Sequence, residues 1–419
     1  MKRSALPIAL AVLAPLAGCG GDTTDDHVVA SVPANARAYL HLDRGSDDWE
    51  SASEALARLP SLEGPIRSLL SGQIEVPGDG EAGVALLAGR KRPVVVEPND
   101  PLSELSLADA PDYKDLLRGL PDERFVHLYL APSTTGFLRP LDSSIRSAAV
   151  AADIDGDRLH IRARVRHEGQ AGPCYGATDD PLVEIADPEA ALFVEVPSVG
   201  CALRALAKRF DGVEAAIGAF ARAARRRGDV SLEDELMPLL EGRGALIASP
   251  GDPAPILTFV VDGVDEREAL NVLSRLQPAL VHLVGTQELG QAPTFGSADV
   301  AGVTAVTANL APGLELSYAA WDGRLVVSTA LKGIAAIRKG EGLPGGDSFD
   351  SVLGGRPSAL TALLFLDLNQ LLTLGEQAGL AEDPRYLAVR DDLQKLRAAG
   401  VVASREENFT TAELTFQIP

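Results

Sequence analysis

Residues 113–130 and 349–366 carry one pattern twice, residue for residue and without a gap. Tyr113, Leu116, Leu117, Gly119 and Pro121 lead into Phe125–Leu130, and Phe349, Val352, Leu353, Gly355 and Pro357 lead into Thr361–Leu366. An apolar stripe at helical spacing, a glycine and proline break, then a strand-like run cannot be read as a single element. The likeness extends outward in both directions. Ser31–Leu42 and Glu184–Val194 each set turn residues before an alternating strand, and hairpins spanning 148–165 and 401–418 close the two copies. In those hairpins Leu159, Ile161, Ala163 and Val165 match Ala412, Leu414, Phe416 and Ile418 at the strand period of two. The expectation is an α+β fold of two related units, each a largely antiparallel sheet with helices packed on one face. Residues 32–169 form the first unit, 170–182 a Gly/Pro-rich linker and 183–419 a longer second unit.

The extra length of the second copy falls in a helix-rich insert, Ala202–Leu240, and in a long helix that Asp265 caps with Glu268 at the third helical position. Leu270, Leu273, Leu276, Leu280 and Val284 recur along it at helical spacing and predict its buried face, with a kink at Pro278. Strands follow at Ala245–Ser249 and Ile256–Val261, then a meander over 303–329. Its sharpest turn is Trp321-Asp322-Gly323-Arg324, where Asp-Gly between alternating runs marks a two-residue hairpin. Ahead of Gly228, Arg225, Arg226 and Arg227 read as a helix C-terminus with the glycine in the left-handed position.

At the other end of the chain, Lys2-Arg3 precedes an apolar run too short to span a bilayer, which ends Leu16-Ala17-Gly18-Cys19. This looks like the lipobox of a bacterial lipoprotein. Residues 1–18 then form a signal peptide, Cys19 is the lipid attachment site, and 19–31 form a small, acidic tether. Acyl chains at about 0.8 kcal/mol per buried CH₂ anchor the protein on the extracytoplasmic face of a cell membrane. The charge balance agrees that lipid alone must do this: 59 acidic against 38 basic residues give a net charge of −21, which repels anionic headgroups and phosphate backbones. Nucleic acid is excluded as a partner on the same ground. With Cys19 lipidated, Cys174 and Cys201 remain as an even pair in an oxidising compartment and are assigned a disulfide, worth roughly 3–4 kcal/mol.

Val32-Pro33-Ala34-Asn35-Ala36, the Asp322–Ser328 hairpin, and the Ser348-Phe349-Asp350 helix leading to Leu363–Asp367 resemble an uncharacterised family of exported bacterial lipoproteins. That family carries a duplicated domain of unknown function. The resemblance covers most of the mature chain but rests on turns and core strands, so it implies a fold and a location and brings no catalytic residues.

Among the remaining constellations, Asp153-Ile154-Asp155-Gly156-Asp157 alternates carboxylates but has Arg158 and Arg164 where a calcium loop needs glycine and glutamate, so it reads as a hairpin turn. Gly346-Asp347-Ser348 lacks the glycines of a nucleophile turn; Asp347 or Ser348, like Asp112 at the matching position, reads as a helix cap. The six histidines have no metal-site spacing, and no phosphate or dinucleotide loop occurs, so no metal and no cofactor is expected. His41 and His127 lie on strands that bring their imidazoles together, and Arg158, His160, Arg162, Arg164 and Arg166 form a basic stripe on one strand face. His41, His127, Arg162 and Arg164 are the ligand candidates. No residue is assigned to catalysis. The expected function is that of a non-enzymatic, membrane-anchored lipoprotein binding an unidentified envelope partner, which is a protein, an envelope polymer or a lipid. The alternative is an envelope hydrolase using His41, His127, Asp43 or Asp367.

Overall fold

The fold comes from a computed structural model, which describes residues 27–61, 80–90, 92–98, 102, 104–138, 144–169, 182–252, 254–285, 294–311, 314–406 and 408–418. The expected signal peptide, Cys19, Cys174 and most of the expected tether and linker lie outside the described residues. The architecture is α+β with antiparallel strand pairing, and the chain divides into two compact units. Unit 1 is Met1–Ala171 with Gly375–Pro419, and unit 2 is Gly172–Leu374.

Unit 1 contains β1 (Ala38–Asp43), β2 (Glu81–Leu86), β3 (Val94–Val96), β4 (Val126–Leu130), β5 (Ile145–Asp155), β6 (Arg158–His167) and, from the C-terminal segment, β15 (Ala398–Glu406) and β16 (Phe409–Gln417). Their order across the sheet is β15-β16-β6-β5-β4-β1-β2-β3. The β5–β6 turn places Gly156 at a φ of 62° in the first central position, as a type II′ hairpin requires. The C-terminal hairpin, expected with the second half of the chain, packs in unit 1. The basic edge of β6 supplies the reason: β16 pairs with β6 along its length, and Glu413 meets Arg162 at 2.9 Å and His160 at 3.2 Å.

Helices cover both faces of this sheet, which corrects the expectation of one covered face. On one face α1 (Asp47–Ala57), capped by Ser46 accepting from the Trp49 N–H, sets Trp49 edge-on to Phe125 and over Leu42, Val126 and Ala152. On the other, α2 (Pro111–Leu117) lays Tyr113 and Leu116 against Tyr39, Tyr129 and Ala149. The physical cause is the alternation itself: neighbours such as His41 and Leu42 are both buried and point to opposite sides.

Unit 2 contains β7 (Leu192–Val196), β8 (Gly244–Ser249), β9 (Ile256–Asp262), β10 (Thr294–Val300), β11 (Val303–Ala311), β12 (Leu314–Trp321), β13 (Arg324–Ser328) and β14 (Ala362–Asp367), in the order β10-β11-β12-β13-β9-β8-β7-β14. The Asp322-Gly323 hairpin forms as expected, with φ of 51° and 72° at its two central residues. Its helices are α3 (Val199–Arg209), α4 (Asp211–Gly228), α5 (Glu266–Gly285), α6 (Leu331–Lys339) and α7 (Asp347–Leu353), while α8 (Leu368–Gln377) carries the chain out of the unit. Here too both faces are covered. The helix α5 packs on Val261 and Leu325, and α6 and α7 lie over the side holding Val260, Val326 and Phe365.

Three local expectations resolve differently. The cap of α5 is as read, Asp265 Oδ1 accepting from the Glu268 N–H at 2.9 Å, but its most buried positions are Ala269, Val272, Leu276 and Ala279, and the helix continues through Pro278. Small residues let the helix sit closer to the sheet than a leucine stripe would. At the end of α4 the left-handed residue is Asp229, at φ 51°, and not Gly228. Gly228 is needed for close approach instead, since a Cβ there would stand 2.3 Å from the Arg275 carbonyl oxygen on α5. Neither Asp347 nor Ser348 caps α7, whose cap position is Gly346, and Asp112 does not cap α2, which starts with Pro111.

Candidate functional site

In unit 1 the strand face beneath α2 carries two buried histidines, His41 and His127. Cross-strand pairing sets His41 directly opposite His127 and Tyr39 opposite Tyr129, with the imidazole centroids 5.0 Å apart. The two histidines are buried in the sheet and do not form a surface patch. His41 Nε2 lies 3.0 Å from Glu81 Oε1, which also accepts from the His27 N–H. Burial pushes the Glu81 carboxyl up, but the His41 bond and charge and the backbone donors outweigh it and leave it below the usual carboxylate range. His127 Nδ1 accepts from Arg124 Nε at 3.3 Å, so the neutral ring carries its proton on Nε2, 2.9 Å from the Tyr113 hydroxyl. Full burial, then the charges of His41 and Arg124, hold His127 well below the ordinary histidine range.

From this network the polarity continues outward to a cleft. The Tyr129 hydroxyl donates to Asp112 Oδ2 at 3.2 Å, and the guanidinium of Arg166 reaches Asp112 Oδ1 at 2.6 Å and Asp115 at 3.4 Å. Burial, followed by the Asp112 carboxylate, raises the Tyr129 hydroxyl far above the ordinary tyrosine range. The cleft, about 680 Å³, is lined by Asp112, Tyr129, Arg146, Arg166, His167 and Glu168, with Asn35 and Asn408 on its walls. His167 is fixed from both sides, Nδ1 to the Ser144 hydroxyl and Nε2 to the Thr410 hydroxyl, each at 2.9 Å. Arg146 and Glu168 form a more exposed pair at 3.3 Å. Two guanidinium groups therefore face two carboxylates, and the cleft is charge-balanced on a strongly acidic chain.

The basic stripe of β6 takes a different part from the one expected. Arg162 is bound to Glu413, and Arg164 lies over the Phe409 ring at 4.4 Å and presses on Gly119, where a Cβ would stand 1.7 Å from its guanidinium. Neither lines the cleft; Arg166 does. Asp112, Tyr129, Arg166 and His167 were missed as site residues. Arg166 belonged to the stripe, and Asp112 had been assigned to a cap, a reading that hid a carboxylate whose partners lie far along the chain.

Unit 2 builds the corresponding strand positions otherwise. Register puts Phe193 opposite Phe365 and Glu195 opposite Leu363, with Phe349 edge-on to Phe365 at 5.2 Å. Glu195 is 4% exposed, and burial pushes its carboxyl up to about 7 against the opposing pull of the Leu182 amide and of Arg243, whose Nε is 3.8 Å away. Arg243 and Arg324 both close on Asp262, at 2.7 and 3.0 Å. Cys201, near the start of α3, is disulfide-bonded, and both other cysteines lie outside the described residues. Among the described residues no group of three or more His, Cys, Asp or Glu side chains is placed to hold a metal ion, and no helix is long and apolar enough to cross a membrane.

No family model matches the chain, and no curated protein matches it. Two solved structures are similar, crystal forms III and IV of TP0453. Form III is 10% identical with a TM-score of 0.26, covering 55% of this chain and 78% of that one; form IV is 11% identical with a TM-score of 0.28, covering 56% and 80%.

Proposed function

We propose that this chain is a lipoprotein held through Cys19 on the extracytoplasmic face of a bacterial membrane, and that it acts by binding, not by catalysis. Its ligand is a neutral stretch of cell-envelope polymer seated in the unit 1 cleft. The observation that carries this reading is the charge-balanced cleft of about 680 Å³, within the size range of small-ligand sites. Carboxylate, guanidinium and amide groups present planar arrays of donors and acceptors suited to hydroxyls, while a site with no net charge offers an ion little. The hydrolase alternative is disfavoured by the work its residues already do. His41 and His127 are buried in the hydrogen-bonded network, Asp43 holds the Gly45 N–H in a turn, and Asp367 accepts from the Gln370 N–H at the start of α8.

The ungapped repeat of the sequence, together with the shared placing of β1 between β2 and β4 and of β7 between β8 and β14, supports an origin of the two units by duplication. Saturation-transfer NMR with an N-acetylglucosamine tetramer and a glucan tetramer tests the ligand. Transfer to at least one, lost in Asp112→Ala and Arg146→Ala, is expected; silence from both sugars with the wild-type protein overturns the assignment. Mass spectrometry of the N-terminal peptide tests the anchor, and a mature chain that retains Met1 and an unmodified Cys19 overturns it.

A further inference from the structure

The helix-rich insert of unit 2 contains a second, chemically opposite cavity. Between α3, α4 and the short helical segment Leu232–Leu236 runs a groove of about 510 Å³, walled by Leu203, Ile217, Phe220, Leu236, Met237 and Leu240. Its wall is almost wholly aliphatic and aromatic. Its charged lining is Arg204, Lys208 and Glu233, two cations against one carboxylate on a chain of net charge −21. Arg204 spends part of its charge on Glu241 at 3.0 Å, a pair roughly half exposed, whereas Lys208 makes no ion pair with a described residue. A groove with an apolar floor and a cationic rim suits a molecule with one long hydrocarbon chain and one anionic end: the chain gains from leaving water, and the end meets Lys208.

We infer that this groove binds a long-chain carboxylate, with its alkyl chain between α3 and α4 and its head at Lys208 and Arg204. The insert is then not an ornament on the sheet but a second binding module. It is independent of the polymer-binding cleft, because the residues involved belong to unit 2 and the cleft belongs to unit 1.

Titration of the whole protein with cis-parinaric acid, followed by displacement with palmitate or hexadecanol, tests the inference. Saturable fluorescence displaced by palmitate is expected. Ala216 lines the groove and is exposed, so Ala216→Trp fills the groove without burdening the core; it is expected to abolish binding while circular dichroism stays unchanged. Lys208→Glu should weaken palmitate about 5-fold and leave hexadecanol unchanged, the size of effect that one exposed charge supports. No saturable binding, or Ala216→Trp binding like the wild type, overturns the site. Equal effects of Lys208→Glu on acid and alcohol overturn the carboxylate assignment. Asp112→Ala, which removes a carboxylate from the unit 1 cleft, should leave this titration untouched.

Discussion

At matching strand positions the two units hold the same aromatic geometry with opposite chemistry. Tyr113 meets Tyr129 edge-on at 5.3 Å, and Phe349 meets Phe365 edge-on at 5.2 Å. The ring packing is alike, but only unit 1 has hydroxyls, and each has found a partner, Tyr113 in His127 and Tyr129 in Asp112. The buried ionic pair is reversed as well. Unit 1 places a base, His41, in the strand and an acid, Glu81, at the start of the next; unit 2 places Glu195 in the strand and Arg243 just before the next. The lesson is that the same edge-on ring contact accommodates either hydroxyls connected to partners, as Tyr113 is to His127 and Tyr129 to Asp112, or none. The connected version leads to a cleft, whereas unit 2 has its cavity between inserted helices.

The largest expected effect tests the apolar version. Phe365→Ala should cost about 3–5 kcal/mol in denaturant unfolding, since a ring 2% exposed leaves a cavity that the sheet cannot close. A loss below about 1 kcal/mol would mean that the pair is not the centre of unit 2. Next come the close approaches. Gly228→Ala sets a Cβ against the backbone of α5 and should cost about 1–3 kcal/mol, whereas Gly119→Ala in unit 1 meets only the flexible end of Arg164 and should cost less. The reverse order in thermal melts would contradict the packing described.

Buried titratable groups in the two units predict opposite responses to pH. His127 has a folded pKa below its unfolded value, so the unfolded state binds more protons and β1 and β4 lose stability as pH falls below about 6.5, at up to about 1.4 kcal/mol per unit. Glu195 has a folded pKa raised to about 7, so its contribution is complete below about 4.5 and is lost as pH rises through 7. Asp153, pushed up to about 6 by burial, and Asp43 at the end of β1, also raised by burial, act in the second sense within unit 1, so the readout is amide exchange in β4 against β7 and β14. Slopes of equal sign in the two sets would break the comparison. The smallest effect is Tyr129→Phe, which gives unit 1 the ring of unit 2 and should cost about 1 kcal/mol for the lost bond to Asp112. A stabilised protein would show that the hydroxyl is not needed there.

Local features were legible where neighbours in sequence decide them. The Asp322-Gly323 turn, the Asp265 cap and the strand alternation on either side of Gly156 each depend on a few adjacent residues. The approach of His41 to His127 was also readable, because equal positions on two strands imply it. The candidate site was less so. Asp112 has the composition of a cap and the position of one, and only the sheet brings Arg166 to it from 54 residues away. The left-handed Asp229 beside Gly228 was hidden for a similar reason: what excludes a side chain at Gly228 is the carbonyl of Arg275 on another helix.

By itself the amino-acid order determined the kinds of element and several of their turns, since backbone propensity and side-chain period act within a few residues. Tertiary structure alone decided which faces are covered, that the hairpin at 398–417 closes unit 1 by setting Glu413 against Arg162, and which polar side chains are buried together. Those outcomes depend on segments hundreds of residues apart meeting in one register, where desolvation makes every unpaired donor or acceptor costly and so selects its partner.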